Sequence, residues 1–156
     1  IYKKNTSIRR KIQKKFGKNA VKNNRINKTL LAEIAFRNKK NLRSLSNIVH
    51  PEILKTIKKK VLSSSKKIIV IDAPILIETG LHDFVDYVIV IKTSRSVASK
   101  RCKRKGFRKE ELERRISFQM PFSDKLKYSD FVINNNRTKL DLKKGVIKIW
   151  KQLNRG

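Results

Sequence analysis

The feature that most restricts the fold of this 156-residue chain is a change of apolar periodicity after a serine-rich segment at 63–67. Beyond that segment, short apolar runs rich in β-branched residues alternate with stretches of helical length. We predict strands at 68–71, 87–91 and 131–133 and helices at 94–105, 109–120 and 138–153. Strands that alternate with helices are joined by right-handed crossovers, which produce a parallel sheet covered on both faces. The sequence therefore predicts an α/β fold, in which the run 68–71 is a strand buried on both faces.

Before the serine-rich segment, apolar residues recur at helical spacing. They form three groups: Leu30, Leu31, Ile34 and Ala35; Leu42, Leu45, Ile48 and Val49; and Ile53, Ile57 and Val61. Pro51 precedes the third group, and proline is tolerated in the first turn of a helix but not in its interior. We therefore predict three helices with a break at His50-Pro51, followed by a loop at 63–67.

The chain is strongly basic, with 41 Lys and Arg against 12 Asp and Glu and a formal net charge of +29. Leu, Ile, Val and Phe nevertheless make up about 31% of it, well above the roughly 20% below which highly charged chains stay disordered. The longest apolar run, 87–91, is far shorter than the roughly 20 residues of a membrane helix. We expect a globular protein without a membrane span or a secretion signal.

Cysteine and histidine are scarce, with Cys102, His50 and His82 as the complete set. A single thiol excludes an internal disulfide, and three such residues predict no zinc centre. This composition fits a reducing, cytoplasmic setting.

Polar residues follow each of the three predicted strands, at 72–74, 92–94 and 134–136. In an open parallel sheet, ligands bind outside the carboxyl ends of the strands. We therefore expect the functional groups at these three segments.

Segments in this order resemble the motifs of one enzyme family. V-I-D-A-P-I-L-I-E-T-G-L at 70–81 resembles the D-x-P-L-L-F-E-x-G-L segment of the dephospho-CoA kinases. L-A-E-I-A-F at 31–36 and I-V-H-P at 48–51 resemble that family's L-A-x-I-V-F and I-V-H-P segments. R-I-S-F-Q-M-P at 115–121 resembles the family's lid motif, R-I-x-x-Q-M-P. D-F-V-I-N-N at 130–135 resembles its last motif, D-x-V-I-x-N.

The resemblance implies a P-loop kinase that phosphorylates the ribose 3′-hydroxyl of dephospho-CoA with ATP and Mg²⁺, the last step of coenzyme A synthesis. The fold it implies is a parallel sheet flanked by helices. Residues 1–156 would form one partial kinase domain, with a helical substrate-binding region at 24–62 and a lid at 95–121 that closes over ATP.

The resemblance also implies roles for single residues. The catalytic residues would be Arg115 and Asp72. ATP would be bound by Arg101, Arg104, Asn134 and Asn135. Dephospho-CoA would be bound by Asn27, Lys28, His50 and Glu78. Asn27-Lys28 stands where the family usually has Asp-Arg. Asp72 has two interpretations, a water-mediated Mg²⁺ ligand or a cap of the turn before Pro74. His50 contacts the substrate or caps a helix before Pro51.

The sequence contains no G-x-x-x-x-G-K-[ST], the loop whose N–H groups hold phosphates in P-loop enzymes. In the family this loop lies on the first strand, which occupies the middle of the sheet between the strands that here correspond to 68–71 and 87–91. We therefore expect that these 156 residues alone fold poorly, bind no ATP and are inactive, because two apolar strands would face a gap.

Two other functions remain open from the sequence. A nucleic-acid-binding module would use the charge of +29, and non-specific binding to phosphate backbones is expected in either case. Basic residues are nevertheless spread along the chain without an aromatic-interleaved stripe, and only 7% of the residues are aromatic. Another P-loop nucleoside or nucleotide kinase would share the sheet and the lid.

Overall fold

A computed structural model describes residues 6–154. The chain forms two compact units that adjoin in the sequence at Ile71 and Asp72. We describe each unit by itself.

The first unit is mostly helical. Its elements are α1 (Thr6–Phe16), β1 (Val21–Lys22), β2 (Arg25–Ile26), α2 (Lys28–Ala35) and α3 (Lys39–Leu62), with one 3₁₀ turn at Lys18–Ala20. β1 and β2 form a two-residue hairpin, and Asn23 and Asn24 adopt φ values of 50° and 59° at its turn. Asparagine tolerates this left-handed region, which such a turn requires at both central positions.

The core of the first unit joins its three helices. It consists of Ile8, Ile12, Ala20, Leu31 and Val49, all buried. Both later helices begin at asparagines whose side-chain oxygens accept backbone N–H groups: Asn27 from Leu30 at 3.1 Å and Asn38 from Asn41 at 2.8 Å. These caps satisfy N–H groups that have no partner within the helix.

The predicted break at His50-Pro51 is wrong, because α3 runs without interruption with Pro51 in its interior. Proline has no N–H, so the carbonyl of Asn47 loses its helical partner, at a cost of about 3 kcal/mol. Packing on both sides of the proline outweighs this cost. Residues before and after it contact the same core: Leu45, Ile48, Val49 and Ile53. The second and third predicted helices are therefore one.

The predicted strand at 68–71 is also wrong, and the segment is irregular. Ile68, Ile69 and Val70 are 51%, 41% and 86% exposed rather than buried. Within residues 6–154 no strand pairs with this run. A strand is stabilised by hydrogen bonds to a neighbour, so a β-branched run without one does not become a strand. The predicted loop at 63–67 is confirmed.

The second unit has the predicted alternation of strands and helices. Its elements are β3 (Ile89–Lys92), α4 (Arg95–Arg104), α5 (Lys109–Ser117), α6 (Phe122–Leu126), β4 (Phe131–Asn134) and α7 (Lys139–Leu153), with a 3₁₀ turn at Leu81–Phe84. β3 and β4 are parallel, in a register that opposes Val90 to Val132 and Lys92 to Asn134. The predicted parallel sheet flanked by helices is confirmed for these two strands. Helix α5 ends three residues before its predicted end, and α6 was not predicted.

Side chains from both strands anchor the second unit. Val88 and Val90 pack with Ile77, while Met120 and Phe122 cover them. On β4, Ile133 is 5% exposed. Gly145 lies in the middle of α7, where a Cβ would stand 3.4 Å from the Ile133 side chain. The absence of a side chain thus lets α7 lie close to β4.

No helix in the described residues 6–154 is both long enough and apolar enough to cross a membrane.

Replacing Pro51 with alanine tests the continuous α3. Alanine restores the missing N–H and removes the ring, so Pro51→Ala should raise the free energy of unfolding by about 1–3 kcal/mol, measured by urea denaturation. A matched control is Pro121→Ala, because Pro121 precedes α6 rather than lying inside a helix. An unchanged or lowered stability of Pro51→Ala would contradict the continuous helix.

Candidate functional site

The carboxyl ends of β3 and β4 meet at one edge of the second unit and carry polar side chains. Beyond the last strand pair, the Asn135 N–H donates to the Lys92 carbonyl at 2.8 Å. The Ser94 N–H donates to Asn136 Oδ1 at 2.6 Å, and the Asn136 N–H donates to Asn134 Oδ1 at 3.0 Å. Two of the three predicted polar segments, 92–94 and 134–136, are therefore joined by hydrogen bonds.

Arg101 of α4 reaches this edge and joins it to the helix. Its Nη1 donates to the carbonyl of Asn135 at 2.7 Å and to Asn135 Oδ1 at 3.0 Å, and its Nη2 donates to the Arg137 carbonyl at 3.0 Å. The structure thus brings together Arg101 and Asn135, which the sequence assigned to ATP. A guanidinium held by three acceptors has little freedom, so its charge is fixed beside the strand ends.

Arg104 and Arg115 of the predicted lid have surroundings different from those of Arg101. Arg104 is the exposed last residue of α4. Arg115 on α5 pairs through Nη2 with Glu111 Oε1 at 2.7 Å, and its guanidinium carbon lies 5.3 Å from the centre of the Phe107 ring. Its side chain is 44% exposed. Gly106, with φ of 83°, makes the turn between α4 and α5.

Glu78, assigned to the substrate by the resemblance, makes contacts with the end of the lid motif. Its Oε1 accepts the Met120 N–H at 2.9 Å and lies 3.2 Å from Lys125 Nζ. The same ammonium lies 3.1 Å from the Pro74 carbonyl and 3.4 Å from Gln119 Oε1. We call Glu78, Lys125 and these partners the Glu78–Lys125 cluster. It ties the segment 72–81 to the segment 115–121.

Lys125 was not among the residues predicted from the sequence. Its partner Glu78 lies 47 positions earlier in the sequence, and neither periodicity nor spacing links residues so far apart. Lys125 lies outside the motifs at 70–81 and 115–121, so the resemblance gave no signal for it either.

Asp72 is exposed and precedes the turn that begins at Pro74. The residues described by the structure contain no group of three or more His, Cys, Asp or Glu side chains that could hold a metal ion by themselves. Magnesium in phosphoryl-transfer sites is usually held by one or two carboxylates together with substrate phosphates and water. An exposed carboxylate of this kind fits that requirement.

An open groove of about 480 Å³ lies between β4 and α7. Ile133 and Ile149 form apolar parts of its lining, and Asn134, Arg137 and Lys148 contribute polar and charged groups. Of the four residues expected to bind ATP, Asn134 lines this groove.

The remaining predicted substrate residues lie in the first unit. Asn27 is the N-cap of α2 and Lys28 is the exposed first residue of that helix. His50 lies inside α3, so its predicted role as a helix cap is wrong. The imidazole is half-buried, and desolvation lowers the pKa of His50 below its ordinary value of 6.5.

The second unit is therefore an α/β fold. Polar side chains lie at the carboxyl ends of its two parallel strands, and Arg101 of the connecting helix is held beside them. The sequence model of the dephospho-CoA kinase family matches residues 1–141. The chain belongs to the dephospho-CoA kinase family.

Similar proteins agree with this assignment. The dephospho-CoA kinase of Aquifex aeolicus is 31% identical, over 99% of this chain and 80% of that protein. The one from Geobacillus kaustophilus is 35% identical, over 83% of this chain and 67% of that protein. The structure of dephospho-CoA kinase from Campylobacter jejuni matches with a TM-score of 0.63 and 28% identity, over 96% of this chain and 78% of that chain. The structure of TT1252 from Thermus thermophilus, 22% identical with a TM-score of 0.76 over 95% of this chain and 77% of that chain, shares the fold.

The Glu78–Lys125 cluster should stabilise the second unit through coupled contacts. Lys125→Met leaves a carboxylate and a carbonyl without their shared cation, and should lower the free energy of unfolding by about 1–3 kcal/mol. Glu78→Gln keeps an acceptor for the Met120 N–H and should cost less. In a urea-denaturation double-mutant cycle, the coupling energy should be about 0.5–3 kcal/mol.

The exposed pair Asp124 and Lys127, 3.1 Å apart, provides the matched control. Its Asp124→Asn and Lys127→Met cycle should give at most about 0.5 kcal/mol, as surface pairs three or four residues apart do. Equal coupling in the two cycles, or additive effects of Glu78→Gln and Lys125→Met, would contradict the cluster.

Burial of His50 predicts a pH dependence of stability. Because its pKa is lower in the folded state than in the unfolded state, the unfolded chain binds more protons as pH falls below about 6.5. Stability is therefore complete above that pH and declines below it. His50→Gln should show a smaller loss of unfolding free energy between neutral and mildly acidic pH than the unsubstituted chain, by urea denaturation.

The control for this experiment is His82→Gln. This variant retains His50, so its unfolding free energy should fall between neutral and mildly acidic pH as much as that of the unsubstituted chain. The same loss in His50→Gln as in the unsubstituted chain would show that His50 titrates alike in both states.

Proposed function

We propose that this chain functions in the transfer of the γ-phosphoryl group of ATP to the ribose 3′-hydroxyl of dephospho-CoA. Membership of the dephospho-CoA kinase family carries this proposal. The arrangement of Arg101, Asn134 and Asn135 at the carboxyl ends of two parallel strands supports it, because this is the position where such sheets bind ligands.

Within this proposal, the two units handle different parts of the reaction. The region 24–62 of the first unit binds dephospho-CoA, through Asn27, Lys28 and His50. The second unit holds ATP, with the adenine near Asn134 and Asn135. The groove beside β4, which Asn134 lines, supports that position and has room for a nucleobase.

Phosphoryl transfer requires positive charge against the oxygens of the transferring group and exclusion of water, with little covalent work for protein groups. Arg115 is suited to the first task, because its ion pair with Glu111 is exchangeable. The pair with Glu111 is an exposed contact across one helical turn, of a kind that contributes only about 0.3–0.5 kcal/mol. A phosphate could therefore replace the carboxylate at small cost, and a guanidinium can hold two of its oxygens.

Arg101 has a different role in this scheme. Its three contacts with the loop after β4 hold that loop in place and keep a positive charge beside the strand ends. Preorganised charge of this kind stabilises an anionic ligand without reorganisation when the ligand binds.

Asp72 is the residue proposed to hold Mg²⁺, which would be bound together with ATP. The ion would neutralise charge on the β- and γ-phosphates. Asp72 also belongs to the segment that the Glu78–Lys125 cluster ties to 115–121. The cluster thereby fixes the spacing between the metal-binding segment and the segment that carries Arg115.

We further propose that these 156 residues, taken alone, bind dephospho-CoA but not ATP, and are inactive without a phosphate-binding loop. The sequence contains no G-x-x-x-x-G-K-[ST], the loop that supplies most phosphate contacts in P-loop enzymes. The exposure of Ile89 and Ile91, at 42% and 49%, and of the run 68–71 supports this view, because apolar strands of such sheets are normally covered.

Isothermal titration calorimetry of the purified chain tests both statements. Dephospho-CoA should bind, and Lys28→Met should weaken binding about ten- to hundredfold, since a charge-assisted hydrogen bond contributes about 1.5–3 kcal/mol. Lys22→Met, which removes the same charge from an exposed position on β1, should have little effect.

Three results would contradict the proposal. The absence of dephospho-CoA binding would remove the substrate assignment. Tighter binding of a nucleoside monophosphate would favour a different nucleotide kinase. Micromolar binding of Mg·ATP would show that the chain needs no further phosphate-binding loop.

A further inference from the structure

Positive charge is distributed unevenly between the two units. Residues 6–71 contain 19 Lys and Arg but only two acidic residues, Glu33 and Glu52. Residues 72–154 also contain 19 Lys and Arg, together with ten acidic residues. Several of those acids pair with cations, as Glu78 does with Lys125 and Glu111 with Arg115. The first unit therefore has a far larger excess of positive charge.

Six of the seven exposed cations of helix α3 lie on one broad side, and Lys60 lies outside it. Positions three or four residues apart share a helical face. Exposed positions at that spacing along α3 are Lys40, Arg43, Asn47, Pro51, Lys55 and Lys59, with Lys39 and Lys58 beside them. We call the six cations of this set the α3 basic face; they are Lys39, Lys40, Arg43, Lys55, Lys58 and Lys59. From Lys40 to Lys59 the face extends about 28 Å, at 1.5 Å per residue.

The amino-terminal part of the face contains a depression of about 300 Å³. It is lined by three cations, one hydroxyl and one amide: Lys39, Lys40, Arg43, Ser44 and Asn47. Lysine, arginine, serine and asparagine are among the side chains that contact phosphate oxygens in protein–nucleic-acid complexes.

We infer that the α3 basic face binds the sugar-phosphate backbone of a nucleic-acid duplex, independently of base sequence. The face has two groups of cations, at 39–43 and at 55–59, which are about 18 Å apart along the helix. Glu52 lies between the two groups. Contacts between these cations and phosphates would release counterions from the duplex. This surface adds to the proposed kinase function and does not depend on it.

Two features favour a duplex over other polyanions. Residues 39–62 contain no Phe, Tyr or Trp, whereas proteins that bind single strands stack bases on aromatic side chains. Helices that lie on membranes place bulky apolar residues next to their cations, but the exposed positions of α3 up to Lys60 are polar, charged or proline, and Leu62 stands at its end.

The test measures binding of fluorescein-labelled DNA and RNA duplexes by anisotropy across a salt series. The test variant carries Lys40→Gln, Arg43→Gln, Lys55→Gln and Lys59→Gln. The control variant carries Lys139→Gln, Lys143→Gln, Lys144→Gln and Lys151→Gln, on exposed positions of α7 in the second unit. Both lose four positive charges, so net charge alone predicts equal effects. Circular dichroism checks that both are folded.

For DNA, the slope of log K against log salt should become shallower by about 0.9 for each phosphate contact removed, up to about 3.6 in the test variant. The control should change the slope much less. Equal changes in the two variants, or no duplex binding by the unsubstituted chain, would overturn the inference. So would tighter binding to single strands, or binding to phosphatidylglycerol vesicles in place of duplexes.

Discussion

The parallel pairing of β3 with β4 is the interaction on which the rest of the second unit depends. Its register places Lys92 opposite Asn134, so the residues that follow the two strands emerge at the same edge. The Asn135 N–H donates a hydrogen bond to the Lys92 carbonyl, and the Arg101 guanidinium donates to the Asn135 carbonyl in the same loop. A shift of one residue would exchange the faces of Val90 and Ile133, which are buried, and would separate these contacts.

Local signals in the sequence were sufficient for most of the second unit. The β-branched runs predicted β3 and β4, and the helices α4 and α7 begin directly after Ser94 and Thr138, whose hydroxyls cap them. Thr138 and Asp141 cap each other, and the Thr138 hydroxyl and N–H lower the pKa of the Asp141 carboxyl. Such signals lie within a few residues of the element that they begin.

Long-range effects account for what the sequence analysis missed. Pro51 interrupts the local pattern, yet Leu45 and Ile53 on either side of it pack on the same core, and the helix continues. The run 68–71 has ideal composition for a buried strand but no strand neighbour in residues 6–154. Lys125 could be found only once the fold had placed it beside Glu78. The resemblance to a family pointed to candidate functional segments, but it did not show that Glu78 contacts Met120 at the end of the lid motif.

β3 and β4 pair in parallel, and this pairing brings their polar ends together. Nuclear Overhauser effects between backbone protons of the two strands, in isotopically labelled protein, test it most directly. We expect cross-strand contacts that advance in the same direction along both strands, from Ile89 and Phe131 to Lys92 and Asn134. Contacts that run in opposite directions, or amides of Val90 and Ile133 that exchange at the rate of an unfolded chain, would contradict it.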